Sequence, residues 1–593
     1  MTPTPSALMR AFTGPALILL TALVASLALV LHGASCGHDF DFHLVSWLDA
    51  LHGWRQGIFY PHWAPSPNYG AGEPRFVFYP PLTWMAGALL GACMPWQAVP
   101  VALTLLMLFA AGLATRALAR QMLPPAPATF AGCVVVFSGY TLFTAYERSA
   151  FGELSGSFWM PLLLLLLLRE INPEAARWRR AFDGSAVLLV LVVAGAWLSD
   201  APLGVIASYT LAALALIAAI LRRSWAPILR AAVAVALGLG LAAVYLVPAD
   251  REEPWVAIHQ VTDDPGYMIQ NSWLFARHAG AAMREHDAEL FKVSVISSSM
   301  IALALLGAAL VLRKATPAMR RQWWIPLATI PIAVLCLQLP FSLPIWNLLP
   351  ELRFLQFPWR WLVALEAPMA ILFAAAVWSL SPLVRKVAVS AWVALALFLA
   401  AASISGLLFY QICDDEDAVS SMLTAYSAGT GFEGTDEYAP PGVGNSITPF
   451  GLPMACLASS PFTVLGQSEA GEPPAWNPDQ GTCHATYDAD RSFPQTSEHL
   501  RFHASTPQAG YLILRLRRYP AWQIRLNGQL QHNLPQRNDG LIAIPVPQGP
   551  IALAVDWTTT PDVSIGRTIC ALSCVLLAGL WFIERRQTTP QVS

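Results

Sequence analysis

Charged residues are scarce in this sequence. Only 12% of its 593 residues are Asp, Glu, Lys or Arg, about half the share that is usual in a soluble domain. The 35 Lys and Arg residues are balanced by 37 Asp and Glu residues, so no basic surplus indicates a nucleic-acid partner. No Cys-x-x-Cys motif and no compact His-rich zinc motif is present. The composition excludes a collagen, a coiled coil, a disordered tail and a soluble cytosolic enzyme.

Long apolar runs are what the sequence has in place of charge. Apolar residues make up 55% of the chain, and its mean hydropathy is +0.50. A helix needs about 20 apolar residues to cross the hydrocarbon core of a bilayer. Residues 81–94 are apolar but shorter than a usual span, which predicts a re-entrant or tilted half-span. Twelve other runs are span candidates: residues 14–34, 97–117, 128–146, 156–169, 184–199, 203–221, 228–246, 293–312, 323–339, 358–379, 387–409 and 563–584.

The sequence therefore predicts a polytopic α-helical membrane protein with a bundle of about 12–13 spans. Cytoplasmic loops of such proteins are enriched in Lys and Arg. With a cytoplasmic N-terminus and twelve alternating spans, every basic cluster falls on the cytoplasmic side: residues 116–120, 177–180, 222–223, 313–321, 385–386 and 585–586. The segments that this topology leaves outside are residues 36–79, 147–155, 247–290, 340–357 and 410–562.

Three units are predicted along the chain. Residues 1–409 form a multi-span membrane domain, with the loops 36–79 and 247–290 on the outer side. Residues 410–562 form an extracytoplasmic β-rich domain, because their composition differs and they lack long apolar runs. Residues 563–593 supply the final span and a short cytoplasmic tail.

The second half of the β-rich domain has the pattern of paired strands. Apolar and polar residues alternate along four runs, and Asn527-Gly528 is a tight-turn signal between two of them. If that side of the membrane is oxidising, Cys456 and Cys483 are expected to form a disulfide. These features predict a small β-sandwich, with strands at residues 511–517, 522–526, 541–546 and 551–557.

The first external segment opens with an acidic motif, His38-Asp39-Phe40-Asp41-Phe42-His43. In an extended chain, Asp39, Asp41 and His43 share one face. Two carboxylates at the membrane surface bind a divalent cation through oxygen, or one of them serves as a general base. The alternative interpretation is a solvated loop with ordinary acids.

Other charged residues lie in short hairpins at the ends of spans. One external hairpin contains Arg148 and Glu153, and a similar one contains Asp200. An acid that points back into the bundle is costly unless it is partnered or functional. Glu153 is therefore a site candidate and Asp200 a weaker one, whereas the alternative is that these charges merely anchor the hairpins.

A further charged pair enters the span at residues 358–379. Arg360 lies near its start, and Glu366 lies about 9 Å deeper along a helix. Arg360 either snorkels to lipid phosphates or forms a charge-assisted fork with the phosphate of a lipid-linked substrate. Glu366 is a functional candidate by default, because acids within a membrane are rare.

Five motifs occur in an order that resembles a known family. The acidic motif is followed by Tyr-x-Arg-x-Ala-x-x-Glu at residues 146–153 and by Gln-Phe-Pro-Trp-Arg at residues 356–360. Gly-Thr-Asp-Glu-Tyr-Ala-Pro at residues 434–440 and Tyr-Pro-Ala-Trp at residues 519–522 come after them. Over nearly its whole length, the chain resembles the bacterial membrane proteins called 6-pyruvoyl-tetrahydropterin-synthase-related, which are similar to GT-C membrane glycosyltransferases.

That resemblance implies transfer of a sugar, with inversion, from a polyprenyl-phosphate donor at the outer face of the bacterial cytoplasmic membrane. The partners would be the lipid-linked sugar, membrane lipids and an extracytoplasmic glycan or protein acceptor. Asp39 and Asp41 would deprotonate the acceptor or hold a divalent cation (Mg or Mn), with Glu153 as the third catalytic candidate. The expected substrate-binding residues are His43, Arg148, Asp200, Arg360 and Glu366.

Two other classes of function are compatible with the sequence. A non-catalytic membrane protein for envelope glycan assembly would bind through its β-rich domain and use the acids as scaffold. A transporter would place ionisable residues near mid-membrane and often has an internal inverted repeat, which is not evident here.

Overall fold

The structure is a computed structural model that describes residues 5–169, 185–444, 447–467, 474–488 and 495–588. The basic cluster at residues 177–180 lies outside these ranges. Among the described residues, nine helices are long and apolar enough to cross a membrane: Trp96–Ala119, Pro125–Glu147, Phe151–Leu168, Ala201–Arg222, Ala226–Trp255, Arg284–Lys314, Pro358–Trp378, Pro382–Ile404 and Pro561–Arg585.

Further apolar helices accompany these nine. Pro317–Leu337 and Pro340–Leu348 meet at an angle of 94° and make a tenth candidate span if the bent pair is taken as one. Thr13–Ala25, Pro81–Cys93 and Ala186–Ser199 are apolar but shorter. The predicted helical membrane protein is thereby confirmed, and each predicted apolar run coincides with one of these helices.

Glycine allows two of the long helices to approach closely. Gly112 of Trp96–Ala119 faces Gly132 of Pro125–Glu147, and a Cβ added at Gly132 would lie 2.6 Å from the Gly112 carbonyl oxygen. Small residues at such crossings let helix backbones pack where lipid supplies no hydrophobic driving force. The contact helps to fix Pro125–Glu147, whose end leads directly to Arg148.

The sequence pattern predicted an extended acidic motif. In the structure the motif instead leads into a helix at Phe40–Arg55, with Asp39 just before it. That expectation was wrong, and so was the single face for Asp39, Asp41 and His43, because consecutive helical residues are about 100° apart. Asp41 is exposed, whereas His43 is buried. The helix is favoured by apolar residues that recur at helical spacing on its buried side. They are Phe40, Leu44, Trp47, Leu48 and Leu51.

In the described part of the C-terminal region, eight strands form two antiparallel four-stranded sheets. One sheet has the strand order β2-β1-β4-β7 and the other β3-β8-β5-β6. Apolar side chains from both sheets share one buried core, which includes Leu512 and Val555. The predicted antiparallel sheet domain is therefore confirmed as a sandwich. Its strands are β1 (Ala455–Ala458), β2 (Ala485–Tyr487), β3 (His499–Thr506), β4 (Gly510–Arg517), β5 (Trp522–Leu526), β6 (Gln529–Leu530), β7 (Leu541–Val546) and β8 (Gly549–Trp557).

The hairpin from β5 to β6 follows from its turn sequence. Asn527 and Gly528 have φ angles of 51° and 80°, and Leu526 pairs with Gln529 across the turn. Asn-Gly is favoured at such two-residue turns because both positions need positive φ. The expected disulfide between Cys456 and Cys483 is also present, and it joins β1 to the residues just before β2.

A second disulfide, between Cys36 and Cys413, had no signal in the sequence. It joins residues 377 positions apart, whose Cα atoms are separated by 4.9 Å. The backbone N–H of Cys36 also donates to the carbonyl of Gln411 at 3.1 Å. The segment that leads to the acidic motif is therefore tied to the segment that leads from Pro382–Ile404 toward the sandwich.

A buried ion pair shapes the loop that follows the helix of the acidic motif. Glu73 accepts a hydrogen bond from Arg75 Nε at 2.7 Å and another from the backbone N–H of Thr435 at 2.9 Å. Glu73 is completely buried and Arg75 almost so. A Cβ on Gly434 would lie 2.1 Å from Asn68, so the 434–440 motif fits this loop only with glycine there.

Candidate functional site

Four of the residues predicted from the sequence meet in one ion-pair network. Arg148 Nη2 is 3.4 Å from Asp39 Oδ2, and its Nη1 donates to Glu153 Oε2 at 3.1 Å. Arg360 Nε is 3.4 Å from the same Glu153 oxygen. Arg148, Glu153 and Arg360 are buried, whereas the side chain of Asp39 is 36% exposed. The network therefore runs from the interior of the bundle to its surface.

A break between two long helices positions Arg148. Pro125–Glu147 ends just before it, and Ser149 takes a positive φ of 50° before the next helix begins. The backbone N–H of Asp39 donates to the Arg148 carbonyl at 2.9 Å. Gly37 is required beside this contact, because a Cβ there would lie 2.5 Å from the carbonyl oxygen of the last helical residue. The backbone, and not charge alone, thus holds the acidic motif against Arg148.

Arg360 shares an aromatic neighbour with Arg148. The centroid of the Phe357 ring is 5.3 Å from the guanidinium carbon of Arg360 and 5.7 Å from that of Arg148. Trp359 stacks on Phe357 with a centroid distance of 4.3 Å. Arg360 Nη1 donates to the Leu355 carbonyl at 3.2 Å. No hydrogen bond from the described residues engages Arg360 Nη2, so this edge of the guanidinium is free for a ligand.

Asp200 lies beside the network as a helix cap. Its carboxylate accepts a hydrogen bond from the Leu203 N–H at 2.9 Å, at the start of Ala201–Arg222. Burial raises the pKa of Asp200 to about 6, and the nearby Arg360 cation limits the rise. Burial likewise disfavours the cation of Arg148, but the charges of its partner acids more than offset this and raise the pKa of Arg148. Arg148 is therefore a cation at neutral pH.

Asp41 is the exposed acid of the motif. Protein on several sides desolvates its carboxylate and raises its pKa, while the Phe42 N–H and the Arg75 cation oppose the rise. In the described part of the chain no side chain forms an ion pair with Asp41. An unpaired carboxylate at the surface has the freedom to accept a proton from a bound hydroxyl group.

His43 and Glu366 form no ion pair with the network among the described residues. His43 is 1% exposed, and its ring packs 5.1 Å from Phe151. Burial lowers the pKa of His43 to about 4, so the imidazole is neutral at pH 7. Glu366 is buried within its helix, where it accepts hydrogen bonds from Thr141 at 2.5 Å and Ser138 at 3.1 Å. The structure thus gives both residues packing roles rather than contact with the open surface.

The residues around the acidic motif do not fit a metal site. Within the described ranges, no three or more His, Cys, Asp or Glu side chains come together as ligands. Asp39 is paired with Arg148, and Asp41 projects from a different side of the helix. Magnesium prefers an octahedral shell of oxygen atoms. Two carboxylates on different sides of a helix supply too few of these ligands. Asp39 and Asp41 on their own therefore do not supply the ligand shell of such an ion.

Two residues near the network were not predicted from the sequence. The ring of Tyr267 lies 6.0 Å from that of Phe357. Burial, and then the charge of Glu437, raise the pKa of Tyr267. Burial also raises the pKa of Glu437 to about 7, with a contribution from the Glu73 carboxylate. The position of Glu437 within the 434–440 motif was the one signal that could have found it, and nothing in the sequence marks Tyr267.

A known protein family matches the part of the chain that contains most of this network. The family model described as 6-pyruvoyl-tetrahydropterin synthase related domain, a membrane protein, matches residues 76–412. The match covers more than half of the chain and contains Arg148, Glu153 and Arg360. The chain belongs to this family. The family predicted from the order of the sequence motifs is thus confirmed, and the acidic motif and the sandwich lie outside the matched range of the synthase-related domain.

The chain is also similar to a solved structure. No curated protein matched the chain. A crystal structure of the oligosaccharyltransferase from Archaeoglobus fulgidus, in complex with Zn and sulfate, is similar at 15% identity and a TM-score of 0.41. The similarity covers 70% of this chain and 56% of that one, so the chain spans little more than half the length of the archaeal protein.

Proposed function

We propose that this synthase-related protein is a membrane glycosyltransferase of GT-C type, which transfers a sugar from a polyprenyl-phosphate donor to an external glycan or protein. The observation that carries the proposal is the Nη2 edge of Arg360, which no described residue hydrogen-bonds, in a guanidinium held by Glu153 beside the Arg148–Asp39 pair. Two adjacent guanidinium groups suit a lipid phosphate, because they form charge-assisted forks. An exposed acid without an ion pair suits the hydroxyl group of an acceptor.

The proposed reaction is a single displacement. The acceptor oxygen attacks the anomeric carbon while the bond from that carbon to the phosphate oxygen breaks, and attack from the opposite side inverts the configuration. Asp41 takes the hydroxyl proton, and the lipid phosphate leaves with the electron pair. Arg360 and Arg148 stabilise the charge that develops on the phosphate. Glu153 acts as a positioning residue that holds the two guanidinium groups together.

We further propose that the site faces the outer side of the bacterial cytoplasmic membrane, with residues 410–562 on that side. Both disulfides, Cys36–Cys413 and Cys456–Cys483, fall in segments that the charge pattern predicts to be external. Disulfides persist in oxidising compartments, which supports this orientation. The other five cysteines are free and lie in apolar helices.

Cysteine labelling tests the orientation. In spheroplasts, Thr430→Cys and Leu530→Cys are expected to react with a membrane-impermeant maleimide, since both positions lie in the segment proposed to be external. Thr588→Cys, beyond the last span, is expected to react only after the membrane is permeabilised. The wild-type protein is the control for labelling of native cysteines. Reaction of Thr588→Cys in sealed spheroplasts would reverse the proposed topology.

A transfer assay tests the function itself. Membranes from cells with and without the protein are supplied with labelled polyprenyl-phosphate sugars. Arg360→Ala and Arg360→Lys are both expected to lower the rate by roughly 10²–10³-fold, because lysine cannot reproduce a guanidinium that contacts Glu153, the Leu355 carbonyl and the phosphate together. The exposed Arg353→Ala is the matched control and is expected to retain the wild-type rate.

The same assay has two outcomes that contradict the proposal. Transfer that does not depend on the protein, with any donor, would favour the non-catalytic glycan-assembly alternative. A strict requirement for Mg or Mn, seen as loss of transfer in EDTA and recovery on addition of the ion, would contradict the proposed mechanism, in which no ion takes part.

A further inference from the structure

A cavity lies where the sandwich meets the end of the Ala226–Trp255 helix. Its volume is about 240 Å³, which equals roughly eight water molecules and accommodates one pyranose ring. Three prolines, Pro440, Pro441 and Pro520, form rigid walls. The polar side chains that line it include those of Trp255, Arg518 and Gln536. None of these residues belongs to the ion-pair network.

Three polar groups in this cavity are free to bind a ligand. Within the described residues, no hydrogen bond engages the indole N–H of Trp255, the guanidinium of Arg518 or the amide of Gln536. Arg518 and Gln536 are exposed, and Trp255 is half-buried with its ring 5.4 Å from that of Tyr519. Arg537, which also lines the cavity, is already paired with Asp539. Arg518 is therefore the uncompensated charge of the lining.

We propose that this cavity binds a saccharide that carries a uronic acid. The face of an indole ring is electron-rich and packs on the C–H face of a sugar. The side-chain amide of Gln536 offers both a donor and acceptor to neighbouring hydroxyl groups. The guanidinium of Arg518 matches a carboxylate through two parallel hydrogen bonds. Arg537 is paired with Asp539, whereas no ion pair among the described residues engages Arg518, so the charge of Arg518 is available to an anionic sugar.

Binding at this cavity does not depend on sugar transfer, but its role as an acceptor site rests on the proposed function. The wall residue Pro440 ends the motif that begins at Gly434, and this motif also contains Glu437. The backbone N–H of Ala257 donates to the Ala439 carbonyl at 2.9 Å and so holds the motif against the end of the Trp255 helix. A saccharide bound here thus contacts the motif that contains Glu437, three residues before Pro440.

Calorimetric titration of the purified full-length protein in detergent tests the inference. Trigalacturonic acid is expected to bind, and galactotriose, its neutral counterpart, to bind at least about tenfold more weakly, as the loss of a charge-assisted hydrogen bond requires. Arg518→Ala and Trp255→Ala are each expected to weaken binding of the acidic trisaccharide by about tenfold or more. Arg525→Ala, at an exposed arginine on β5, is the matched control and should bind as the wild type does.

Two results would overturn the inference. One is the absence of binding by trigalacturonic acid, and the other is equal binding of the two trisaccharides with no effect of Arg518→Ala. Thermal unfolding of each variant shows whether it is folded. Arg518→Gln replaces Arg518→Ala, and Trp255→Phe replaces Trp255→Ala, if the alanine variant is not folded. Saccharide binding without sugar transfer contradicts the proposed function alone, whereas transfer without binding contradicts this inference alone.

Discussion

Asp41→Asn is expected to lower the rate of sugar transfer by about 10²–10⁴-fold, which is the usual contribution of a general base. Asparagine has nearly the same size and keeps one hydrogen-bond acceptor, but it cannot take up the proton of the acceptor hydroxyl. Asp41 is exposed on the Phe40–Arg55 helix, so the variant is expected to fold as the wild type does. The measurement is labelled sugar transferred by equal amounts of purified protein.

A neighbouring acid supplies the control. Asp417 is exposed and close enough for its charge to contribute to the raised pKa of Asp41, which results mainly from desolvation. Asp417→Asn changes the same local charge without removing the proposed base, so its transfer rate is expected to stay near that of the wild type. Unchanged transfer by Asp41→Asn would contradict the assignment of Asp41 as the general base and would make Glu437 the next candidate.

The dependence of the rate on pH has a definite sign. Desolvation raises the pKa of Asp41 above the ordinary value of 3.8, although the Phe42 N–H and Arg75 oppose this. Only the ionised carboxylate accepts a proton, so the wild-type rate decreases as the pH falls through the raised pKa. The residual rate of Asp41→Asn is expected to lack this acidic decrease. The two profiles, measured from neutral to acidic pH, distinguish a base from a residue that merely supports the fold.

Glu153→Gln is expected to lower the free energy of unfolding by roughly 3–5 kcal/mol, the cost of removing one partner from a buried ion pair. Glu153 lies 3.1 Å from Arg148 and 3.4 Å from Arg360, and all three side chains are buried. Without its charge, two guanidinium groups remain close together in the interior, with Asp39 paired to Arg148 and Asp200 near Arg360. Unfolding by sodium dodecyl sulfate in mixed micelles measures the change.

A double variant separates charge imbalance from loss of packing. Adding Arg148→Met to Glu153→Gln removes a cation together with the acid, so it is expected to recover part of the lost stability. Glu416→Gln, at an exposed acid, is the matched control and should change the free energy of unfolding by less than about 0.5 kcal/mol. If Glu153→Gln unfolds like the wild type, the buried network does not stabilise the bundle.

The helices and strands were predictable because they follow local patterns. A long apolar run becomes a helix in lipid whatever its neighbours are, since the backbone must satisfy its hydrogen bonds within the segment. Likewise, the alternating run 522–526 coincides with β5, and the apolar run 541–546 coincides with β7, which is buried along most of its length. The acidic motif was wrongly predicted as extended because Asp39, Asp41 and His43 alternate along it. The helical spacing of Phe40, Leu44 and Trp47 is the pattern that the structure follows.

The site was less predictable because it depends on contacts between distant segments. Arg148 and Glu153 are five residues apart, but the approach of Arg360 to Glu153 is set by how their helices pack. The partnership of Cys36 with Cys413 and the placement of Glu437 near Tyr267 connect parts of the chain that no local pattern relates. Charge and position in the sequence indicate single candidate residues for the site. Only the packing of the helices shows which of these candidates contact one another.

The Cys36–Cys413 disulfide has a consequence for the biosynthesis of the protein. During synthesis, Cys36 emerges 377 residues before its partner, and most of the helices have to be inserted in the interval. Cys456 and Cys483 emerge after Cys413 and are only 27 residues apart, so they can pair at once. Wrong disulfides rearrange slowly without a catalyst. Cys36 must therefore stay reduced, or be held by an oxidoreductase as a mixed disulfide, until the ribosome has released the segment with Cys413. This pair can therefore be oxidised only after the candidate spans that precede Cys413 have been synthesised, and Pro561–Arg585 follows later.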